Sequence, residues 1–139
     1  MKIAFLLMSL LAVPALAAPC FAPGIYVGKG LGADPTGKTS WYDVRTEITS
    51  SYEGHSNYVW GDGNKAEFNF RADAGHLIID GRDVGGTIAC GRAALNLDIP
   101  IDNFHLLEEW LFVGNYLLRK GTKQTSSGNV VYQELLFRQ

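Results

Sequence analysis

Gly24-Ile25-Tyr26-Val27-Gly28-Lys29-Gly30-Leu31-Gly32 is the stretch on which the reading of the fold turns. Along a β-strand, successive side chains point to opposite faces. Tyr26, Gly28, Gly30 and Gly32 therefore share one face, and Ile25, Val27, Lys29 and Leu31 share the other. A ring followed by glycines on a single face is unusual, because glycine weakens a strand and marks sharp bending or close approach of another backbone. A sheet that closes on itself needs such bending, and the missing side chains leave room inside. The stretch predicts the first strand of a small closed barrel, from Gly24 to Ala33.

The chain beyond it continues as strands and tight turns. Asp34-Pro35-Thr36-Gly37 is a turn, with Pro presetting its second position and Gly closing it. Lys38–Ser50 alternates cleanly, with Tyr42, Val44, Thr46 and Ile48 on one face and Trp41, Asp43, Arg45 and Glu47 on the other. Tyr52–Trp60 puts Tyr52, Tyr58 and Trp60 on one face, and Gly61-Asp62-Gly63-Asn64 turns the chain. In Lys65–Asp73 the inward set is Ala66, Phe68, Phe70 and Ala72. His76–Asp80 is a short strand. Gly85–Ile99 reads as one long strand bent at Gly91, with Thr87, Ala89, Gly91, Ala93, Leu95, Leu97 and Ile99 inward and Cys90 outward. Phe104–Val113, Tyr116–Thr125 and Val130–Arg138 complete the series, although Leu106–Trp110 also fits a helical turn. The fold class is all-β. About nine strands, within a range of eight to ten, joined by hairpins make an antiparallel up-and-down barrel whose closure hides its edges. An open sandwich is the competing architecture, but no long crossover connection is visible.

Residues 1–17 have the organisation of a signal peptide. Lys2 is the basic start, Ile3–Leu11 the apolar run, and Ala15-Leu16-Ala17 a small-x-small cleavage site. Pro14 cuts the run below the roughly 20 residues a spanning helix needs, so no transmembrane span is expected in the mature chain. A lipid-modified Cys20 is the other alternative, with Pro19 standing where a small residue is wanted. Residues 18–139 then form a single barrel domain, exported to the periplasm or secreted. The full chain's formal net charge of −2, slightly more negative once Lys2 is removed, is spread without a basic run, which argues against nucleic acid as a partner. Cys20 and Cys90 are the only cysteines, and in an oxidising compartment their default is one disulfide; two free thiols are the alternative.

In outline the mature chain resembles the small calycin barrels, the superfamily of lipocalins, avidins and nitrobindin-like proteins. Gly24-Ile25-Tyr26 resembles the G-x-W opening of the first lipocalin strand, with tyrosine in place of tryptophan. Arg138 resembles the basic residue that packs over that ring in the family, where a cation on an aromatic face is worth about 0.5–2 kcal/mol. The C-terminal helix usual in lipocalins has no counterpart here. The resemblance implies an interior that holds a small ligand. Small periplasmic inhibitors of barrel type imply a protein-interaction role as the alternative. A nitrobindin-like chain would use a histidine as axial haem ligand.

The candidate interior is Tyr26, Tyr42, Tyr58, Trp60, Phe68 and Phe70, with Glu134 and Arg138 as a possible buried carboxylate–arginine pair that either seals the floor or orients a polar ligand group. Gly28, Gly30, Gly32, Ala89, Gly91 and Ala93 are the matching small positions, and rings against small residues make either a filled taper or a pocket. Glu108 and Glu109 are adjacent, so on a strand they face opposite sides and cannot be a paired acid and base. His55, His76 and His105 lie on different strands, in no metal-ligand spacing. No nucleophile elbow, phosphate loop or dinucleotide fingerprint is present, so no catalytic residue, metal or cofactor is assigned. The expectation is a binding module for a small apolar or aromatic ligand. The competing expectations are a protein-interaction or inhibitor-like envelope protein, motivated by the tethered tail and Trp41, and an enzyme acting on a small hydrophobic substrate.

Overall fold

The computed structural model describes residues 19–91, 94–101 and 103–139, including, within the strand that opens at Ala94, the side chains of Ile99 and Pro100. The proposed signal peptide lies outside the described residues, as do the predicted faces of residues 92–98. Among the described residues the strands are β1 (Gly24–Ala33), β2 (Thr39–Ser50), β3 (Glu53–Trp60), β4 (Lys65–Asp73), β5 (His76–Ile79), β6 (Arg82–Cys90), β7 (Ala94–Ile101), β8 (Phe104–Val113), β9 (Tyr116–Thr125) and β10 (Gly128–Arg138). Each pairs antiparallel with its sequence neighbour, and β1 pairs with β10 from Tyr26↔Arg138 to Ala33↔Val131, closing the ring. The chain is thus an antiparallel up-and-down barrel, and Phe104–Val113 is strand rather than helix.

Four expectations need correction. Gly85–Ile99 is two strands, β6 and β7, paired from Thr87↔Asp98 to Cys90↔Leu95. A continuous strand of that length would run for roughly 50 Å, at about 3.3 Å per residue, far beyond what a small barrel can span. The reversal resets the side-chain parity, so on β6 it is Ile88 that is buried, while Thr87 and Ala89 are exposed. Cys90 shares the inner face with Ile88 and is not outward. Tyr52 belongs to the turn before β3 and is exposed, so it does not continue the face of Tyr58 and Trp60.

The glycines of β1 do what the sequence suggested, though they leave little empty room. Three crowded inward glycines each sit beneath a ring from a register partner: Tyr42 lies across Gly30, Tyr132 across Gly121 and Phe70 across Gly54. A Cβ at Gly28 would collide with the Leu135 carbonyl, which marks where β1 bends tightly against β10. The hairpin Ala74-Gly75 joins β4 to β5 with φ of 49° and 82°, the left-handed pair that matches strand twist in a two-residue turn.

The first described residues and the C-terminus lie at one end of the barrel. The Cys20 and Phe21 N–H groups donate to the Ser51 carbonyl at 3.2 and 3.0 Å, and Cys20 is disulfide-bonded to Cys90. Phe21 is thereby held as a plug, its ring packed on Phe70 and Trp110 at 5.1 and 5.5 Å between centroids. Closing the 70-residue separation stabilises the fold by about 2–4 kcal/mol, chiefly by restricting the unfolded chain.

A Gly30→Ala substitution forces the Tyr42 ring off its bed and is expected to lower unfolding free energy by about 1–3 kcal/mol. Gly61→Ala, where a Cβ meets nothing within 4 Å, should shift the urea midpoint far less.

Candidate functional site

The interior is organised around Arg119 on β9. Leu117, Arg119 and Gly121 point inward by alternation, which brings a full positive charge into the barrel with its side chain 0% exposed. A guanidinium keeps its proton in any protein environment, so its charge must be met. Glu134, its register partner on β10, does this, with Nε and Oε2 2.5 Å apart as a charge contact rather than an aligned hydrogen bond. On the far side Nη1 donates to Ser56 Oγ at 3.3 Å, and Ser56 shares a 2.9 Å hydrogen bond with Thr46. The guanidinium also lies 4.8 Å from the Trp110 ring and 5.7 Å from the Tyr58 ring. Burial works against its charge, but the Tyr58, Glu134 and Glu108 oxygens outweigh this and hold its pKa above the ordinary arginine value.

Two tyrosines complete the cluster. Tyr42 donates to Glu134 Oε1 and Tyr132 donates to Glu108 Oε1, each at 2.9 Å. Burial first, and then the neighbouring carboxylate, pushes both phenols well above their ordinary value, so both are donors at any working pH. Glu108 is held above the ordinary glutamate value of 4.5, burial being the largest cause; the Arg119 charge opposes it and the Glu134 charge reinforces it. The Trp110 indole N–H lies beside the same carboxyl without making a full hydrogen bond to it.

Next to this cluster lies a cavity of about 690 Å³. It runs from the Phe21 plug to the opposite barrel end, where Asp34, Lys38, Phe104, Lys123 and Val130 surround its mouth. Its walls are Tyr42, Tyr58, Trp60, Phe68, Phe70, Leu77, Ile79, Leu106 and Trp110, with Glu108, Tyr132 and Glu134 as the polar groups. Tyr58 stacks on Trp60 and on Phe68 at 5.9 and 5.8 Å between centroids, giving one row of rings along β3 and β4.

The structure therefore brings together Tyr42, Tyr58, Trp60, Phe68, Phe70 and Glu134 of the candidates read from the sequence. Tyr26 points inward but lies outside the cavity lining, packed on Phe112 and donating to the Ala22 carbonyl at 3.0 Å. Arg138 stands opposite Tyr26 in register and is exposed, with its stem over Gly24. The arginine paired with Glu134 is Arg119, two turns of alternation deeper than the expected partner. Arg119 was missed, and the choice between Glu108 and Glu109 as the inward carboxylate stayed open, because Arg119 and Glu108 each follow a pair of leucines and precede a residue of like charge, so alternation could not choose a face. The signal was available in Gly121, whose inward position fixes both. His55, His76 and His105 lie on outward-facing positions and none lines the cavity, so an imidazole-ligated haem does not fit this interior. Among the described residues no three His, Cys, Asp or Glu side chains gather as a metal site.

Fold and site together define a small closed antiparallel barrel with a ring-walled cavity and a charged cluster in its side. No protein-family model and no curated protein matches the chain.

Replacing Arg119 with Met strands Glu134 without its partner and is expected to cost about 3–5 kcal/mol; the Arg119→Met/Glu134→Gln double variant should recover much of this in urea unfolding. Glu108 gives a pH signature. Its folded pKa lies above the ordinary 4.5, so the folded chain holds that proton more firmly than the unfolded one. Stability is then greatest below that value and falls as pH rises through the raised pKa. Glu108→Gln should remove this part of the slope, so that the variant gains on the wild type as pH rises above 4.5.

Proposed function

We propose that this protein is a binding module that holds a small apolar or aromatic ligand inside its barrel. The observation that carries the reading is the cavity that runs from Phe21 to the mouth, walled by rings and aliphatic side chains and carrying a few convergent polar groups. Its volume falls in the usual range for small-molecule sites, and this mixture of apolar walls with few fixed polar groups is their ordinary composition. The disulfide supports export to an oxidising compartment, in keeping with the N-terminal sequence.

A protein-interaction role is the second reading, and one observation favours it. Ile25, Val27, Trp41, Leu118, Val131, Leu135 and Phe137 are all exposed on the outer surface of β1, β2, β9 and β10, with Trp41 at 62%. Exposed apolar surface of that kind is what partners cover. The N-terminal tail is less suited to this role, because Cys20 and Phe21 are buried in the chain's own floor.

The test is a fluorescence titration with N-phenyl-1-naphthylamine, a neutral apolar probe, alongside native mass spectrometry of protein purified gently from its host. Saturable probe binding, weakened about tenfold by Ala66→Trp in the cavity wall, is the expected result. A wild-type protein that takes up no probe and carries no releasable extra mass would overturn the cavity reading and leave the outer face.

A further inference from the structure

We propose that the cavity is built for a cationic amine, with the Glu108 carboxylate as its ionic seat and the surrounding rings as its walls. This rests on the reading that the cavity binds small molecules, and adds the chemistry of what it takes.

The first argument is a charge balance. Three charged side chains form the interior cluster, Arg119, Glu134 and Glu108. Arg119 is already matched by Glu134 in register at 2.5 Å, and its side chain is wholly enclosed, so it has no surface to offer an incoming anion. Glu108 lines the cavity, and the groups that reach it directly are neutral donors, the Tyr132 hydroxyl at 2.9 Å and the Trp110 indole beside it. With both carboxyls ionised the cluster carries one uncompensated negative charge, and it faces the empty space. A ligand ammonium would restore neutrality there, whereas a carboxylate ligand would add to the excess.

The second argument comes from the walls. Rings attract cations through their electron-rich faces, most strongly where water is excluded. The same interior already holds one cation in this way, the Arg119 guanidinium on Trp110 and Tyr58. Trp60, Phe68 and Phe70 extend that surface along the cavity. Lys38, Lys123 and Asp34 belong to the mouth; Lys123 is drawn onto the Phe104 ring at 4.0 Å, away from the seat. The space suits a flat ring system on a short aminoalkyl arm.

Binding of the ammonium requires Glu108 to be ionised. Arg119 on β9, Tyr132 and Glu134 on β10, Tyr42 on β2 and Tyr58 on β3 are the titratable groups around it, and of these Glu108 is the one whose proton an ammonium would displace. Amine affinity should therefore rise as pH is raised through the elevated Glu108 titration, while that of a neutral analogue stays level.

The experiment is isothermal titration of the full mature chain with tryptamine, its neutral analogue tryptophol and the anion indole-3-propionate. Tryptamine is expected to bind about tenfold or more tighter than tryptophol, with the propionate weakest. Glu108→Gln should abolish the preference for tryptamine and leave tryptophol within about twofold. Equal binding of all three, tighter binding of the propionate, or a preference unchanged in Glu108→Gln overturns the amine inference and leaves the cavity reading standing. So does absence of indole binding in protein that still takes up N-phenyl-1-naphthylamine. If that probe is also refused, the cavity reading falls and the amine inference falls with it. The wild-type ligand series and its pH dependence decide the matter even where the variant folds poorly.

Discussion

A guanidinium that cannot shed its proton must be met by charge wherever it is buried, and Arg119 is buried in the wall of a barrel only ten strands around. Much of the interior follows from that requirement. Glu134 must stand opposite it on β10, which ties the register of the last hairpin to an electrostatic condition as well as to its turn. Tyr42 must reach Glu134 from β2, across β1, to satisfy the remaining carboxylate oxygen. Ser56 and Thr46 extend the same chain of contacts to β3. The pair therefore links the two strands that close the barrel to those on either side. A one-residue slip between β9 and β10 would turn Glu134 outward and leave a lone charge inside, so the buried ion pair acts as a register lock for that hairpin.

The glycines serve the same end. A barrel of this size that contains Tyr42, Tyr132 and Phe70 has no room for side chains directly beneath those rings. Gly30, Gly121 and Gly54 supply the beds on which the rings lie flat. Where rings lie flat against one wall, space is left in the middle, so the cavity owes its shape to how the rings are laid down rather than to an absence of side chains on β1.

Much of the fold was legible in the sequence because most strands alternate a clear apolar face with a charged one. Tyr42-Asp43-Val44-Arg45-Thr46-Glu47-Ile48 leaves no doubt about which face is inside, and the ring row of β3 and β4 follows from Tyr58, Trp60, Phe68 and Phe70 in the same way. Legibility failed at doubled residues. Leu117-Leu118-Arg119-Lys120 and Leu106-Leu107-Glu108-Glu109 present an apolar pair followed by a like-charged pair, so either parity looks equally sensible. Two of the three interior charges, Arg119 and Glu108, lie at those places. The β6–β7 reversal was hidden for a related reason: small and apolar residues continue through it, and only strand length argues for a break. The floor was illegible because Arg138 matched an expected position while the interior charge was carried by another strand.

The disulfide between Cys20 and Cys90 has a consequence for traffic. It pins the Phe21 plug across the end of the cavity opposite its mouth. For any small molecule bound inside, exchange through that mouth would run past Lys38, Phe104 and Lys123. Its rate there would be set at the doorway, by side chains that never touch the bound molecule.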